Sequence, residues 1–342
     1  MKPAIAPTAL TLFLLTSITT SHAFDIPRAI DGPVTITESG SYVVTQDFSV
    51  AVPPAITIAA PNVTLDLNGK TISTPVIDPD IDNSPLVVMN PGARQLLIRN
   101  GKLQGGSHCI LGAAKDLRLS MDHVDCAQAK YGIDIDSATN IAITDSSISV
   151  LRAAVGIGGA YPLTFERNHV STGFYYVGGI TFDGVAFGSV SGNTISVESY
   201  QGLLLWMNGS GMVRITNNVF HGHDTPHGLD LHSGQYVVAN NTIDGSRIGA
   251  INVESSGNLI VNNRLTHAGG LCTGISVAGS DNTVSGNAVT DYMWGIQVRG
   301  TRNTISGNTL RDNWEGGIQV DGTSHRIVGN TAHSTKASRW LV

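Results

Sequence analysis

Residues 282–310 decide the fold and read NTVSGNAVTDYMWGIQVRGTRNTISGNTL. This segment contains one short pattern twice: a branched apolar residue, a polar residue three positions later, and another apolar residue two positions beyond it. The two copies are Val284-Asn287-Val289 and Ile305-Asn308-Leu310. Their asparagines are 21 positions apart. A pattern that returns at such an interval is typical of a solenoid.

The same pattern recurs along most of the chain. Between Lys70 and Asn330 the key positions are separated by eleven intervals that average about 24 residues. Each period also carries a Gly-apolar-x-apolar segment, such as Gly295-Ile296-Gln297-Val298. Alternation with a period of two predicts short β-strands, and Gly, Asn and Ser between them predict tight turns. Stacked coils would pair equivalent strands in parallel and align the asparagines into a ladder.

This architecture resembles the right-handed parallel β-helix of the pectate-lyase-like superfamily, over roughly residues 60–335. The resemblance implies an all-β protein with a single β-helix of about twelve coils. Residues 24–59 are expected to form an N-terminal cap that shields the edge of the first coil. Residues 74–85, rich in Pro and Asp, are expected to form a protruding loop, and residues 336–342 a C-terminal tail.

The first 23 residues have the features of a signal peptide. Lys2 supplies a positive charge, and residues 9–20 are apolar but too few to span a bilayer. Ser21 and Ala23 place small residues before a cleavage site, so we expect the mature chain to begin at Phe24. The protein is therefore expected to be periplasmic or secreted, with no membrane span.

Composition excludes several classes of protein. Of 342 residues 39 are Gly and 41% are hydrophobic, which argues against a disordered chain. The net charge of -6 gives no general basic surface for nucleic acid, so we expect no nucleic-acid partner. We expect a monomer. The three cysteines allow one disulfide at most, for which Cys109 and Cys126 are the candidates in an oxidising compartment; three buried thiols are the alternative.

The outward side chains of the Gly-apolar-x-apolar strands carry the candidate chemistry. Their apolar residues point into the core, so the positions two and four after the glycine face outwards together. The first predicted column includes Asp134, Asp230 and Asn252, and the second includes Asp136, Asp183, Trp206, His232, Glu254 and Arg299. Rows would be about 4.8 Å apart and columns about 6.6 Å apart.

Histidine is concentrated in residues 221–232, which hold four of the chain's 11 histidines. A solvated polar turn would explain them without a function. A zinc site is less favoured, because no cysteine or second histidine pair stands at ligand spacing. We therefore predict no metal site in this segment.

The residues His227-Gly228-Leu229-Asp230-Leu231-His232 resemble the active-site coil of the mannuronan (alginate) C5-epimerases, whose motif reads Tyr-Gly-aromatic-Asp-Pro-His. Asp230 and His232 match the Asp and His of that motif. Glu254 lies one coil later, where the family has an Asp, whereas His227 replaces the Tyr and Leu231 the Pro. The resemblance implies an acidic polysaccharide as partner and uronate as substrate. It implies four catalytic residues: His227, Asp230, His232 and Glu254.

Epimerisation and β-elimination of a uronate both begin with removal of the proton at C5. This step needs a base within about 3 Å, neutralisation of the carboxylate and a second proton donor. His232 suits the acid or base role, with His227 as its partner. The expected substrate-binding residues are Arg247, Asn252, Arg299, Trp206, Trp294 and Trp314. The sequence does not separate an epimerase from a lyase.

Two other functions remain open. Asp134 and Asp136, with Asp183 two coils later, would place carboxylates about 6.6 Å apart, which suits an inverting glycoside hydrolase. The same residues would alternatively bind Ca²⁺, and no other cofactor is indicated. A non-catalytic periplasmic carbohydrate-binding or accessory protein is the second possibility, in which the polar columns are only a solvated face.

Overall fold

The computed structural model describes residues 26–75, 84–112, 114–173, 179–198, 203–267 and 272–333. Within these ranges the chain forms 36 β-strands and no helix. The predicted signal peptide, the tip of the loop predicted over residues 74–85 and the predicted C-terminal tail lie outside the described residues.

The strands are short and follow one another along the whole described chain. In chain order they are β1 (Arg28–Ile30), β2 (Val34–Ile36), β3 (Gly40–Val44), β4 (Phe48–Ser49), β5 (Ile56–Ile58), β6 (Val63–Asp66), β7 (Thr71–Ser73), β8 (Val87–Met89), β9 (Gln95–Gln104), β10 (His108–Gly112), β11 (Leu117–Ala127), β12 (Tyr131–Ile135), β13 (Ala138–Thr144), β14 (Ser147–Val150), β15 (Val155–Gly158), β16 (Leu163–Glu166), β17 (His169–Thr172), β18 (Ile180–Val185), β19 (Gly188–Ser191), β20 (Thr194–Glu198), β21 (Leu203–Gly209), β22 (Met212–Thr216), β23 (Val219–His232), β24 (Gln235–Ala239), β25 (Thr242–Glu254), β26 (Leu259–Val261), β27 (Arg264–Thr266), β28 (Thr273–Ala278), β29 (Thr283–Ser285), β30 (Ala288–Thr290), β31 (Trp294–Thr301), β32 (Thr304–Ser306), β33 (Thr309–Arg311), β34 (Gly316–Thr323), β35 (Arg326–Val328) and β36 (Thr331–His333).

Each strand pairs in parallel with the equivalent strand of the next coil. The pairing of β12 with β15 sets Ile133 opposite Val155, and the pairing of β15 with β18 sets Val155 opposite Ile180. At about three strands per coil, the 36 strands make about twelve coils. The predicted single parallel β-helix is therefore confirmed.

Aliphatic side chains fill the interior in columns. One such column is buried at each position from Ile133 to Ile296: Ile133, Val155, Ile180, Leu205, Leu229, Ile251, Ile275 and Ile296. Each side chain packs on its counterparts above and below, so burial of apolar surface holds every coil in register with the next.

The predicted asparagine ladder is present at one turn of the coils from Asn193 to Asn330. Asn193 Nδ2 donates to Asn218 Oδ1 at 2.9 Å, and Asn218 Nδ2 donates to Asn241 Oδ1 at 2.9 Å. The chain of bonds continues through Asn263, Asn287, Asn308 and Asn330. A second asparagine series, which the sequence pattern did not reveal, runs from Asn258 through Asn282 to Asn303.

The N-terminal part of the described chain is built in the same way. Residues 26–59 contain β1 to β5, of which β1 pairs in parallel with β3 and β2 with β5. A disulfide joins Cys109 to Cys126, the pair expected from the sequence, and Cys272 is a buried thiol. In the ranges that the structure describes, no helix is long and apolar enough to cross a membrane.

Candidate functional site

Two columns of outward side chains run along the sheet that contains β12, β15, β18, β21, β23, β25, β28 and β31. The first contains Asp134, Gly156, Thr181, Trp206, Asp230, Asn252, Ser276 and Gln297. The second contains Asp183, Asn208, His232, Glu254, Ala278 and Arg299.

The register corrects one predicted position. Trp206 lies opposite Asp230, and Asn208 rather than Trp206 lies opposite His232. The expected alignment would set Leu205 opposite Leu231, whereas Leu205 faces Leu229 and Met207 faces Leu231. Strand β21 is therefore shifted by two residues relative to the expected alignment.

Asp230, His232, Asn252 and Glu254 meet on β23 and β25 and form what we call the His232 cluster. His232 Nε2 lies 3.1 Å from Asp230 Oδ1, and His232 Nδ1 lies 3.1 Å from Glu254 Oε2. Asn252 Nδ2 donates to Asp230 Oδ1 at 2.8 Å. The structure thus brings together three of the four predicted catalytic residues and the predicted Asn252.

Both nitrogens of the His232 imidazole face carboxylates. A histidine accepts a proton only through a nitrogen that carries no hydrogen and is not already engaged. His232 must therefore release Asp230 or Glu254 before it can act as a base. His227 lies further along β23, opposite Leu203 and Gly249, and is not one of the two side chains that hold the His232 ring.

Trp206 and Asp183 extend the polar face on the preceding coils. The Trp206 ring lies 5.9 Å from the His232 ring, with the planes inclined by 38°. Asp183 Oδ1 accepts a hydrogen bond of 3.0 Å from Asn208 Nδ2. Together with the His232 cluster, these residues give the face an aromatic ring, amide groups and several carboxylates.

The predicted arginines are not close to His232. Arg299 is three coils from His232 in the same column, at about 14 Å. Arg247 is exposed near the middle of β25. Trp294 is buried, and a Cβ atom built on Gly316 would lie 2.4 Å from its ring, so the indole packs on the next coil. Trp314 is partly exposed.

A second polar cluster lies on the same sheet, four coils before the His232 cluster. Asp134 occupies the column of Asp230, so Tyr131 stands where His227 stands on β23. The four intervening steps correspond to about 19 Å. We call the following group the Tyr131 cluster: His108, Lys130, Tyr131, Asp134 and Arg152.

The Tyr131 cluster combines a phenol, an imidazole, a carboxyl group and two cations. Arg152 Nη1 donates to the Tyr131 hydroxyl at 3.3 Å, and Lys130 Nζ lies 5.3 Å from the centre of the Tyr131 ring. The His108 ring stacks on Tyr131 at 4.8 Å, and its Nε2 lies 3.8 Å from Asp134 Oδ2. Burial, followed by the charge of Asp136, raises the pKa of Asp134.

The sequence interpretation missed the Tyr131 cluster. Its signal was nevertheless available, because Tyr131-Gly132-Ile133-Asp134 reproduces the Tyr-Gly-x-Asp part of the motif that was matched to residues 227–232. His108 and Arg152 had no local signal, since they reach Tyr131 from the neighbouring coils.

Asp122, His123 and Asp145 offer ligand atoms within 4.8 Å of one another. Arg167 already pairs with Asp145, with Nη2 at 2.6 Å, and this bond lowers the pKa of the Asp145 carboxyl. His123 Nδ1 lies 3.0 Å from Asp122 Oδ2. These residues therefore form a series of ion pairs between stacked turns.

Known proteins were compared with the chain at the level of sequence and of structure. Residues 115–268 and 227–339 match the family model described as periplasmic copper-binding protein (NosD). Among solved structures, the A-module of a mannuronan C-5 epimerase from Azotobacter vinelandii is similar, with a TM-score of 0.47 and 16% identity over 88% of this chain and 91% of that module. No curated protein matches. Because the family matches span residues 115–339, well over half of the chain, the protein belongs to the NosD family of periplasmic proteins, in agreement with the predicted periplasmic location.

Proposed function

We propose that the protein removes the C5 proton of a uronate residue in an acidic polysaccharide, as a C5-epimerase or a polysaccharide lyase. The observation that carries the proposal is the Tyr131 cluster, in which two cations surround a phenol next to an imidazole and a carboxyl group. A uronate needs this combination, because its C5 proton becomes acidic only when the adjacent carboxylate is neutralised.

Arg152 is the group that would bind the substrate carboxylate, and the buried Lys130 would add its charge from the Tyr131 ring. A guanidinium binds a carboxylate through two parallel hydrogen bonds, and an ammonium adds a point charge. Asp134 would share a proton with that carboxylate, consistent with the raised pKa that burial gives it. The negative charge that develops on the carboxylate when C5 loses its proton is then stabilised from several sides.

Tyr131 and His108 are the proton-transfer groups. Tyr131, whose hydroxyl accepts the hydrogen bond from Arg152, would act as the base that takes the C5 proton, and the electron pair of the C–H bond would move into the carboxylate. Return of a proton to the opposite face of C5 gives the epimer. Breakage of the C4–O bond instead gives a C4–C5 double bond, with His108 protonating the departing oxygen.

The His232 cluster lies on the same face and would bind further sugars of the same chain. Trp206 offers a flat ring to a pyranose, and Asp230 and Asn252 offer hydrogen bonds to hydroxyl groups. The assignment of His227, Asp230, His232 and Glu254 as the catalytic residues is the alternative within this proposal. It requires His232 to exchange one of its carboxylate partners for substrate.

One experiment separates these outcomes. The mature protein is incubated in deuterated water with polymannuronate, polygalacturonate or a glycosaminoglycan, and proton NMR and ultraviolet absorbance are recorded. Deuterium at C5 without new chain ends indicates an epimerase, and new unsaturated ends indicate a lyase. New saturated ends would instead support a hydrolase that uses Asp134, Asp136 and Asp183, and no change with any polymer would favour the non-catalytic binding function.

Two variants locate the site. Tyr131→Phe is expected to lower the rate by about 100-fold or more, because the proton-transfer group is lost. His232→Ala is expected to raise KM more than it lowers kcat. The reverse result, with full activity in Tyr131→Phe and none in His232→Ala, would move catalysis to the His232 cluster and leave the proposed reaction intact.

Metal binding is a second candidate function, because the family description names copper. The observation that favours it is a histidine pair on β23 with a carboxylate on each neighbouring strand. Equilibrium dialysis of the mature protein against Cu²⁺ tests this function directly, since a copper-binding protein retains the ion against buffer.

A further inference from the structure

We propose that Glu198, His221, His223 and Asp244 form a site for a divalent transition-metal ion on the outer surface of the β-helix, and we call these residues the His221 site. This inference rests on the second candidate function, metal binding, and assigns it to particular side chains. The site lies on a different part of each coil from the Tyr131 and His232 clusters.

Strand register places the four residues at neighbouring positions on three adjacent strands. His221 on β23 lies opposite Ser196 of β20 on one side and opposite Asp244 of β25 on the other. His223 lies opposite Glu198. His221 and His223 are two residues apart with the buried Gly222 between them, so both imidazoles leave the same face of the strand, about 6.6 Å apart at the backbone.

Asp244 orients the His221 ring for metal binding. Its two carboxylate oxygens lie 2.9 and 3.0 Å from His221 Nδ1. A carboxylate can only accept, so Nδ1 carries the hydrogen, and in the neutral ring Nε2 keeps its lone pair. Histidines that bind metals are commonly held in this way by a carboxylate behind the ring. The His221 side chain is 41% exposed, so an ion can reach Nε2 from solvent.

The neighbouring coils show that stacking does not require these residues. The column through His221 otherwise consists of small hydroxyl side chains between residues 149 and 290: Ser149, Ser171, Ser196, Thr266 and Thr290. Hydroxyls suffice to fill this outward position. An imidazole and its orienting carboxylate interrupt the series at two adjacent coils, beside the second imidazole and its own carboxylate.

The ligand atoms define the class of ion. Two imidazoles with carboxylate oxygens suit borderline divalent ions, among which Cu²⁺ binds most tightly to a given set of nitrogen and oxygen ligands. Ca²⁺ and Mg²⁺ take oxygen ligands and would gain little from the histidines. His221 Nε2 would bind the ion first, and the exposed side chains of His223 and Glu198 would turn towards it to supply a nitrogen and an oxygen.

The test is a Cu²⁺ titration of the full mature chain, followed by calorimetry and electron paramagnetic resonance. The wild type is expected to bind one ion with nitrogen couplings from two imidazoles. His221→Ala and His223→Ala should each weaken binding at least 10-fold, and the double variant should lose both the ion and the nitrogen couplings. His169→Ala removes an exposed histidine two coils away and is the matched control, with unchanged binding.

The outcomes distinguish a failure of the metal-binding function from a failure of the assignment to these four residues. If the wild type takes up no Cu²⁺, the metal-binding function fails and the His221 site fails with it. If the wild type binds Cu²⁺ and the double variant binds it equally well, the protein still binds metal but the site assigned here is wrong. Circular dichroism of each variant shows whether the β-helix has been retained.

Discussion

Nη1 of Arg152 donates a hydrogen bond of 3.3 Å to the hydroxyl of Tyr131, across the boundary between two coils. The phenol therefore has a cation at its oxygen while its ring stacks on His108 of the preceding coil. Three consecutive coils contribute side chains to the Tyr131 cluster. We therefore expect single substitutions in any of these coils to change its geometry.

Replacing Arg152 tests the importance of this contact for catalysis. Arg152→Ala removes both the donor to Tyr131 and a carboxylate-binding group, so kcat on the active polymer should fall by about 100- to 1,000-fold. Arg214→Ala, which removes an exposed arginine from β22, is the control and should leave kcat unchanged. Equal activity of both variants would exclude Arg152 from the site.

The raised pKa of Asp134 predicts a particular dependence of stability on pH. Its carboxyl binds a proton more tightly in the folded than in the unfolded chain, so its contribution is favourable below the unfolded pKa and is lost as the pH rises through the folded pKa. Asp134→Asn cannot ionise, and its midpoint of urea unfolding should exceed that of the wild type at pH 7. This advantage should shrink towards pH 3.

Asp136→Asn provides the comparison for that measurement. It removes the second cause of the shift, the charge of Asp136, and leaves the burial of Asp134 unchanged. Its gain in stability at pH 7 should therefore be smaller than that of Asp134→Asn. A loss of stability in Asp134→Asn at pH 7 would contradict the sign of the effect.

The asparagine ladder should be essential for stability. Asn241 is buried, donates to Asn263 Oδ1 at 3.0 Å and to the Ile215 carbonyl at 2.8 Å, and accepts from Asn218. Asn241→Ala leaves several buried groups without partners, and the free energy of unfolding should fall by about 2 kcal/mol or more.

The adjacent residue offers a matched control for the ladder. Asn240 is exposed and has a φ of 58°, a conformation that glycine adopts without strain. Urea unfolding of Asn240→Gly should differ from the wild type by less than about 0.5 kcal/mol. An equal loss in both variants would show that the ladder bonds add nothing beyond the turn itself.

The three cysteines should behave differently towards a thiol reagent. Cys109 and Cys126 form a disulfide, and burial raises the pKa of Cys272 to about 11. The native protein should therefore react slowly or not at all with a maleimide at pH 7.5. One thiol should react after unfolding and three after unfolding with reduction. Rapid labelling of one native thiol would show that Cys272 is accessible.

The regular part of the fold could be predicted because each coil repeats the same pattern of apolar, polar and turn residues. Alternation of apolar and polar residues predicted the strands, and the recurring asparagine predicted the ladder from Asn193 to Asn330. The Asn258 series was missed although its spacing is constant, since its three members each stand five residues before a ladder asparagine. The alignment of Trp206 was wrong because alternation shows which face of a strand a side chain lies on but does not distinguish registers that differ by two residues.

The candidate sites were less predictable, because they depend on contacts between coils. Asp230 and His232 are close in sequence and were found together, but the carboxylate on each side of the His232 ring required the register of β23 and β25. His108, Tyr131 and Arg152 are separated by more than twenty residues at each step, so no local motif joins them. The burial of Trp294 likewise depends on the next coil, where Gly316 has no side chain that would clash with the indole.

The separation between the Tyr131 and His232 clusters is fixed by the number of coils between them. Each coil adds the same rise, so deletion or duplication of one coil would change the spacing by a single step of about 4.8 Å while leaving both clusters intact. A polymer bound along the β-helix would meet the two groups at an interval that such a change can only alter in whole steps. The number of coils therefore determines which two sugars along the bound polymer contact the Tyr131 and His232 clusters.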